Sequence, residues 1–266
     1  MNSFVKRVAH RLLPYRLFTI IQSIQSRNRQ MRQLREWGVS LATQEMVESY
    51  GLTVLHGPFR GMTYPKASLL SRHGIPILFG TYELELHPAI EEACAKRYDF
   101  IVDIGSAEGY YAVGLALRTK TLVYAFDCEP RECHYLRQMA NLNRVADVVR
   151  VESWCDATLL ARLVSSSRSL IISDCEGFEM SLFSALTVPA LRNSDLIIEL
   201  HENFPGTSVC EVLEGRFRPS HQIQILAFDS SNHGFSVPDR WAKLAREIRP
   251  AGQRWLYLTP RALSPN

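Results

Sequence analysis

Phe100-Ile-Val-Asp-Ile-Gly-Ser-Ala-Glu-Gly-Tyr-Tyr111 is the stretch on which the reading of the chain turns. Phe100–Ile104 is an apolar run of strand length, interrupted only by Asp103, and predicts a strand buried on both faces. Gly105 and Gly109 break the run, and Tyr110–Arg118 follows with helical apolar spacing. Strand, glycine turn and helix in that order open a βαβ unit.

The same alternation continues towards the C-terminus. Strands are predicted at Thr121–Phe126, Val148–Ser153, Leu170–Ser173, Leu196–Leu200, Gln222–Phe228 and Arg254–Leu258. Helices are predicted at Arg131–Leu142, Ala157–Val164, Phe178–Leu186, Ser208–Arg216 and Asp239–Arg249. Seven strands, five of them followed directly by a helix, predict an α/β fold with a doubly wound, mostly parallel sheet. Upstream, Thr43–Tyr50 and Pro88–Lys96 read as helices. Leu52–His56 and Gly61–Tyr64 flank Gly57-Pro-Phe-Arg60 as a small hairpin. The expected organisation is a helical extension over 1–40, a preamble or cap over 41–96 and the sheet domain over 97–266.

The chain has 266 residues, 46% apolar and 21% charged, which excludes a mostly disordered protein. Residues 1–35 hold eight of the 30 basic residues and none of the 27 acidic ones, so against a net +3 the remainder is −5. An acidic body argues against a nucleic-acid partner. The basic segment repeats apolar residues (Leu17, Ile24, Met31, Leu34, Trp37) on one helical face, with arginines on the others. Two readings stay open for residues 1–36: packing on this or a second copy of the chain, or peripheral attachment to anionic lipid. Pro14, Arg16 and the lack of a small-residue cleavage site argue against a signal peptide. Six cysteines without a Cys-x-x-Cys pair fit a reducing, cytoplasmic setting and do not suggest zinc.

Doubly wound sheets bind ligands at the carboxyl ends of their strands, so the residues there are the candidates. After the first strand come Asp103, Gly105, Glu108 and Gly109. The spacing Gly-x-x-x-Gly lacks the third glycine of a dinucleotide loop and suits a cofactor carrying carboxylate and ammonium groups. After the second comes Asp127, placed either to accept two ribose hydroxyls or to stabilise the helix that Pro130 opens. After the third come Trp154, able to cover an adenine ring, and Asp156, able to accept its amino group or to cap a helix. After the fourth come Asp174, Cys175, Glu176 and Glu179, three carboxylates within six residues. After the fifth come Glu199 and His201, which alternation places on one face. Asp174, Glu199 and His201 are therefore expected to converge, able to deprotonate a hydroxyl. Asp174 and Glu199 are the candidates to hold a divalent cation such as magnesium.

These residues resemble a known family. Asp103-Ile-Gly-Ser-Ala-Glu-Gly109 resembles motif I of class I S-adenosylmethionine-dependent methyltransferases. Val123-Tyr-Ala-Phe-Asp-Cys-Glu-Pro130, Ile171-Ile-Ser-Asp-Cys-Glu-Gly-Phe-Glu179 and Ile197-Ile-Glu-Leu-His201 resemble the second-, fourth- and fifth-strand motifs of its FkbM-like branch. The likeness covers roughly residues 80–262 and includes Gly80-Thr-Tyr-Glu83. Cys175 stands where that branch usually has Val, and Asp127 where Glu is common. The resemblance implies a Rossmann-like sheet whose last strand is antiparallel, and methyl transfer to a hydroxyl of a sugar, glycan or other natural-product-like acceptor. It places Asp103, Gly105 and Gly109 at the methionine end of the cofactor, Asp127 at the ribose, Asp156 at the adenine, and Asp174, Glu199 and His201 before the acceptor.

Rival readings are a nicotinamide-dependent oxidoreductase, against which the two-glycine loop speaks, and a non-catalytic scaffold that keeps the cofactor fold. Asp174-Cys-Glu-Gly177 lacks the prolines of nucleobase amino-methyltransferases. Cys175 raises a cytosine-5 enzyme, where a cysteine attacks the base, but without the usual Pro-Cys context. The acceptor wall is expected from the preamble, the loop after Glu202 and Asp229–Pro250. There Phe204, Phe235 and Trp241 either stack on a sugar or fill the core.

Overall fold

The computed structural model describes residues 39–69, 73–165, 167–202, 204–229, 234–247, 249 and 252–261. The amphipathic reading of residues 1–36 lies outside them. The described elements are α1 (Val39–Tyr50), α2 (Gly74–Phe79), α3 (His87–Cys94), β1 (Phe100–Ile104), α4 (Tyr110–Thr119), β2 (Val123–Phe126), α5 (Pro130–Leu142), β3 (Val149–Glu152), α6 (Ala157–Val164), β4 (Ser169–Ser173), α7 (Glu179–Leu182), β5 (Asp195–Glu199), α8 (Val209–Phe217), β6 (His221–Ala227), α9 (Asp239–Ala242) and β7 (Arg254–Pro260).

The seven strands form one sheet in the order β3-β2-β1-β4-β5-β7-β6. β1 to β5 are parallel, and β7 runs antiparallel to both β5 and β6. The chain reverses its winding between β1 and β4, so their carboxyl ends flank a crevice. No described helix is long and apolar enough to cross a membrane.

Alternation along each strand sorts side chains onto two faces. Ile101, Leu170, Ile172, Ile197, Trp255 and Tyr257 join one apolar cluster with the preamble residues Met46, Phe59 and Phe79. Val102, Ile171, Leu196, Ile198, Leu256 and Leu258 join a second with Leu160, Leu182 and Leu213 of the helices opposite. The preamble is thus packed into the core of one sheet face. It packs tightly at Gly114 of α4, where a Cβ would stand 2.5 Å from the Phe59 ring.

Several predicted elements differ from those observed, for physical reasons. The hairpin is reduced to a single bridge, Thr53 to Thr63, although Val54, Gly61 and Tyr64 keep antiparallel backbone bonds across it. α2 was not foreseen, because Ile75-Pro-Ile-Leu-Phe79 is buried throughout and shows no amphipathic period. The helix expected over Phe178–Leu186 stops after Leu182. The Ser184 hydroxyl there accepts the Leu186 and Thr187 amides, which a continuing helix would use. The helix expected over Asp239–Arg249 ends at Ala242, and the chain beyond runs to the buried contacts of Glu247 and Arg249.

At the amino end of β5, Asp195 is 1% exposed and accepts from Lys96 Nζ and the Tyr98 hydroxyl, both at 2.7 Å. Asp195→Ala takes the acceptor from the Tyr98 hydroxyl and leaves the Lys96 ammonium to the exposed Glu92 at 2.8 Å and the Tyr257 hydroxyl. It should lower unfolding free energy by about 2 kcal/mol, read as a fall in the urea midpoint at unchanged slope. A loss below about 0.5 kcal/mol, the size of a surface change, would show that water replaces the carboxylate.

Candidate functional site

The glycine turn shapes the floor of the crevice. Gly105 has φ +81°, and a Cβ there would lie 1.7 Å from the Asp174 carbonyl oxygen, so only glycine lets the loops after β1 and β4 meet. Asp103, on the preamble face of β1, is 2% exposed. One of its oxygens accepts the Ala112 amide in the first turn of α4, while Oδ2 has no hydrogen-bond partner. Burial pushes its carboxyl up to about 8, and the charges of Asp127 and Asp174 add to this. Ser106 Oγ, in the same loop, is also buried without a partner. Glu108 is pushed up to about 7 by burial and by Glu132.

Asp127 joins the ends of β1 and β2. Its Oδ2 accepts from Ala107 N and its Oδ1 from Glu129 N, each at 2.8 Å. A carboxylate has further lone pairs to offer two hydroxyls. Asp156 is exposed and caps α6 by accepting from Leu159 N at 2.8 Å, the simpler of the two roles read in the sequence. Trp154 is half-buried and leans on Phe178, with ring centroids 5.6 Å apart. An aromatic wall therefore spans the loops after β3 and β4.

Asp174, Glu199 and His201 do converge. Glu199, on the face of Ile197, shares a hydrogen bond with Asp174, and His201 Nε2 stands 3.6 Å from Asp174 Oδ1. The other imidazole nitrogen, Nδ1, donates at 2.7 Å to Oε1 of Glu179, which is wholly buried. Burial alone would lower this imidazole, but Glu179, Asp174 and Glu176 outweigh it and raise it to about 9. At neutral pH the ring is an imidazolium. His201, read in the sequence as an acceptor-side base, thus begins with its proton on. Burial and Glu179 hold the Cys175 thiol far above its ordinary range, which leaves no thiolate to attack a base.

Residues with no assigned role in the sequence complete the cluster. Arg249 is 6% exposed and donates to Glu199 Oε1 and Glu247 Oε1 at 3.2 Å each, and to Glu83. The Tyr111 hydroxyl also donates to Glu83, and Gln253 to Glu199. Burial raises Glu83 and, with Asp174 beside it, Glu199. Burial would also raise Glu247, but His73 and Arg249 hold it below the usual carboxylate range. The Asp174–Glu199 pair, read in the sequence as a cation site, lies against a protein cation, Arg249. Positive charge beside Glu199 comes from Arg249, and the donor atoms that gather within 4.8 Å belong to Asp174, Glu176 and His201. Glu83 carried a sequence signal, the Gly80-Thr-Tyr-Glu83 stretch; Arg249, at the end of an expected helix, carried none.

Beside this cluster, at the carboxyl end of β6, lies a cleft of about 580 Å³ lined by Leu84, Glu85, Phe228, Phe235, Arg246 and Glu247. Its walls come from the preamble and the 228–247 segment. Phe235 faces it and stacks on His56 with centroids 5.0 Å apart. Trp241 is buried in the core, and Phe204 packs against the second apolar cluster.

The chain matches no protein-family profile and no curated protein sequence. Among solved structures, it is similar to the bifunctional kinase-methyltransferase WbdD at 16% identity and a TM-score of 0.45, over 66% of this chain and 37% of that one. An rRNA methylase from Streptococcus thermophilus aligns at 12% identity and a TM-score of 0.48, over 67% of this chain and 98% of that one. The O-methyltransferase TomG from Streptomyces achromogenes, solved in complex with SAM, aligns at 11% identity and 0.43, over 63% and 75%. The chain thus spans less than two fifths of the length of WbdD. Its strand order and antiparallel last strand are those of the Rossmann-like methyltransferase fold.

The raised Asp103 carboxyl makes stability pH-dependent. Its folded value lies above the unfolded value of about 4, so ionising it costs folding free energy. Stability should fall as pH rises from about 4 to about 8. Asp103→Asn keeps the acceptor for the Ala112 amide and should flatten that fall in urea titrations across pH. An unchanged slope would mean that Asp103 is ionised throughout.

Proposed function

We propose that this chain is an S-adenosylmethionine-dependent methyltransferase acting on a hydroxyl of a small acceptor, a sugar, glycan or natural-product-like molecule. The observation that carries the reading is the buried, half-satisfied Asp103 at the β1–β4 switch point. Its free Oδ2 and the free Ser106 Oγ lie in a glycine turn held to Asp127. An amino-acid ammonium is the group such a turn lacks, so the residues present fit the methionine end of that cofactor. Asp127 would take the ribose hydroxyls, and Trp154 with Asp156 would border the adenine.

Bound there, S-adenosylmethionine supplies an electrophilic methyl on a sulfonium that is its own leaving group. The protein's part is alignment and proton removal. Asp174 stands between Glu199 and His201, at the end of the strand next to β1, and accepts the proton of the acceptor hydroxyl. His201 faces it as a fixed cation and stabilises the ionised carboxylate. Glu179 holds that ring in place. The cleft beside Glu247 receives the acceptor, with Phe235 offering an aromatic face to a sugar ring. The dinucleotide reading has less to rest on, because Gly109 here serves as the left-handed cap of α4 and no third glycine follows.

Calorimetric titration with S-adenosylmethionine and S-adenosylhomocysteine, with NAD as control, tests the cofactor. Both sulfur compounds should bind and NAD should not; failure of both on folded protein would sink the reading. Asp174→Ala should lower turnover at least about 100-fold while S-adenosylhomocysteine affinity stays within about threefold (roughly 0.7 kcal/mol by the affinity relation). Parallel loss of both would move Asp174 to the cofactor side.

A further inference from the structure

We propose that Asp174, Glu176 and His201 form a binding site for one divalent first-row cation, with Glu179 as the outer carboxylate that orients the histidine.

Distances separate this from a hydrogen-bonded cluster. His201 Nε2 lies 3.6 Å from Asp174 Oδ1 and 3.7 Å from Glu176 Oε2. Both are too long for a hydrogen bond. Two atoms each about 2.1 Å from one ion, at octahedral or tetrahedral angles, stand about 3.0 to 3.5 Å apart. His201 Nε2 therefore needs to close by only a few tenths of an ångström on each carboxylate, and the donor atoms of all three side chains lie within 4.8 Å of one another.

Two further observations point to a ligand rather than to acidic crowding. The histidine is set up from behind: Nδ1 is fixed at 2.7 Å on Glu179, a residue with 0% side-chain exposure, so Nε2 is the nitrogen turned to the carboxylates. A buried carboxylate holding the far nitrogen of a histidine is the usual companion of a metal-bound imidazole. In addition, Asp174 Oδ1 and Glu179 Oε2 are buried without a hydrogen-bond partner. A cation at Nε2 would ligate the first and offset the charge of the second.

The donor set selects among cations. One imidazole nitrogen and two carboxylates suit Mn²⁺ or Zn²⁺ better than Mg²⁺, which prefers oxygen ligands and retained water. Three protein ligands leave coordination positions open, the arrangement of sites that bind a substrate oxygen. The ion and a proton compete for Nε2, as at any histidine ligand, so a bound ion takes the place of the imidazolium's charge beside Asp174. The role of the ion as a seat for the acceptor hydroxyl rests on the methyl-transfer reading; its binding does not.

The test is calorimetric titration of the chelator-treated full chain with MnCl₂, with free Mn²⁺ counted by electron paramagnetic resonance. One ion per chain is expected. Glu176→Gln changes an exposed side chain and should weaken binding at least about tenfold with an unchanged circular dichroism spectrum. His201→Gln should weaken it at least as much, whereas Glu202→Gln, a nearby carboxylate outside the cluster, should leave it unchanged. Failure of Mn²⁺, Zn²⁺ and Mg²⁺ to bind the folded chain would overturn the proposal, as would binding indifferent to Glu176→Gln. S-adenosylhomocysteine affinity, measured on the same samples, separates the two readings. Cation binding without it would leave this site standing and remove the methyl-transfer role; cofactor binding without a cation would do the reverse.

Discussion

The guanidinium of Arg249 is the point on which the crevice depends. It is the positive charge shared by Glu83, Glu199 and Glu247, three carboxylates that reach it from the preamble, the end of β5 and the segment before β7. Without it three acids would be buried against one another, and an unpaired buried charge costs several kcal/mol. With it the cap is fastened over the carboxyl ends of the strands. Arginine suits this place because its planar fork donates in several directions at once and keeps its charge when buried.

Around that charge the site divides into two electrostatic halves. On the Arg249 side, Glu83 and Glu199 are held with raised carboxyls, and Asp174 shares a hydrogen bond with Glu199. On the His201 side, Glu179 anchors an imidazolium and Glu176 approaches from the exposed rim. Asp174 belongs to both halves. It shares a hydrogen bond with Glu199 on one side and stands 3.6 Å from His201 Nε2 on the other. The glycine turn adjoins it directly, since the Asp174 carbonyl occupies the space that a Cβ on Gly105 would need.

The sheet and the residues at its strand ends were legible in the sequence because both rest on local pattern. The continuous apolar runs of β1, β4 and β5, and the carboxylates that follow them, stand next to one another in the chain. The convergence of Asp174, Glu199 and His201 followed from the parallel arrangement of neighbouring strands. What escaped was set by contacts distant in sequence. α2 is buried on every side and so has no polar face to mark it. The expected helix over Asp239–Arg249 ended early because Glu247 and Arg249 are drawn to partners in the preamble. Glu179 sat in a motif but received no role, since nothing in one dimension says that its oxygen meets His201. The sequence paired the cation site with Glu199, and nothing in one dimension says that Arg249 reaches that carboxylate.

Bonds across the cap join residues very far apart. The Thr81 hydroxyl donates to the Ala245 carbonyl, the Glu83 amide to Glu247, and Arg249 to the Glu83 carboxylate, at sequence separations of 164 to 166. Loop closure over such spans is entropically costly and comes after local pairing. During synthesis β1 to β5 emerge before Arg249 exists, so the sheet's central strands can pair while the Glu83 carboxylate remains in water. The crevice is then the last part of the molecule to close, and a premature end of the chain before Arg249 leaves five paired strands, β6 without its partner β7, and an open, acidic and unfastened site.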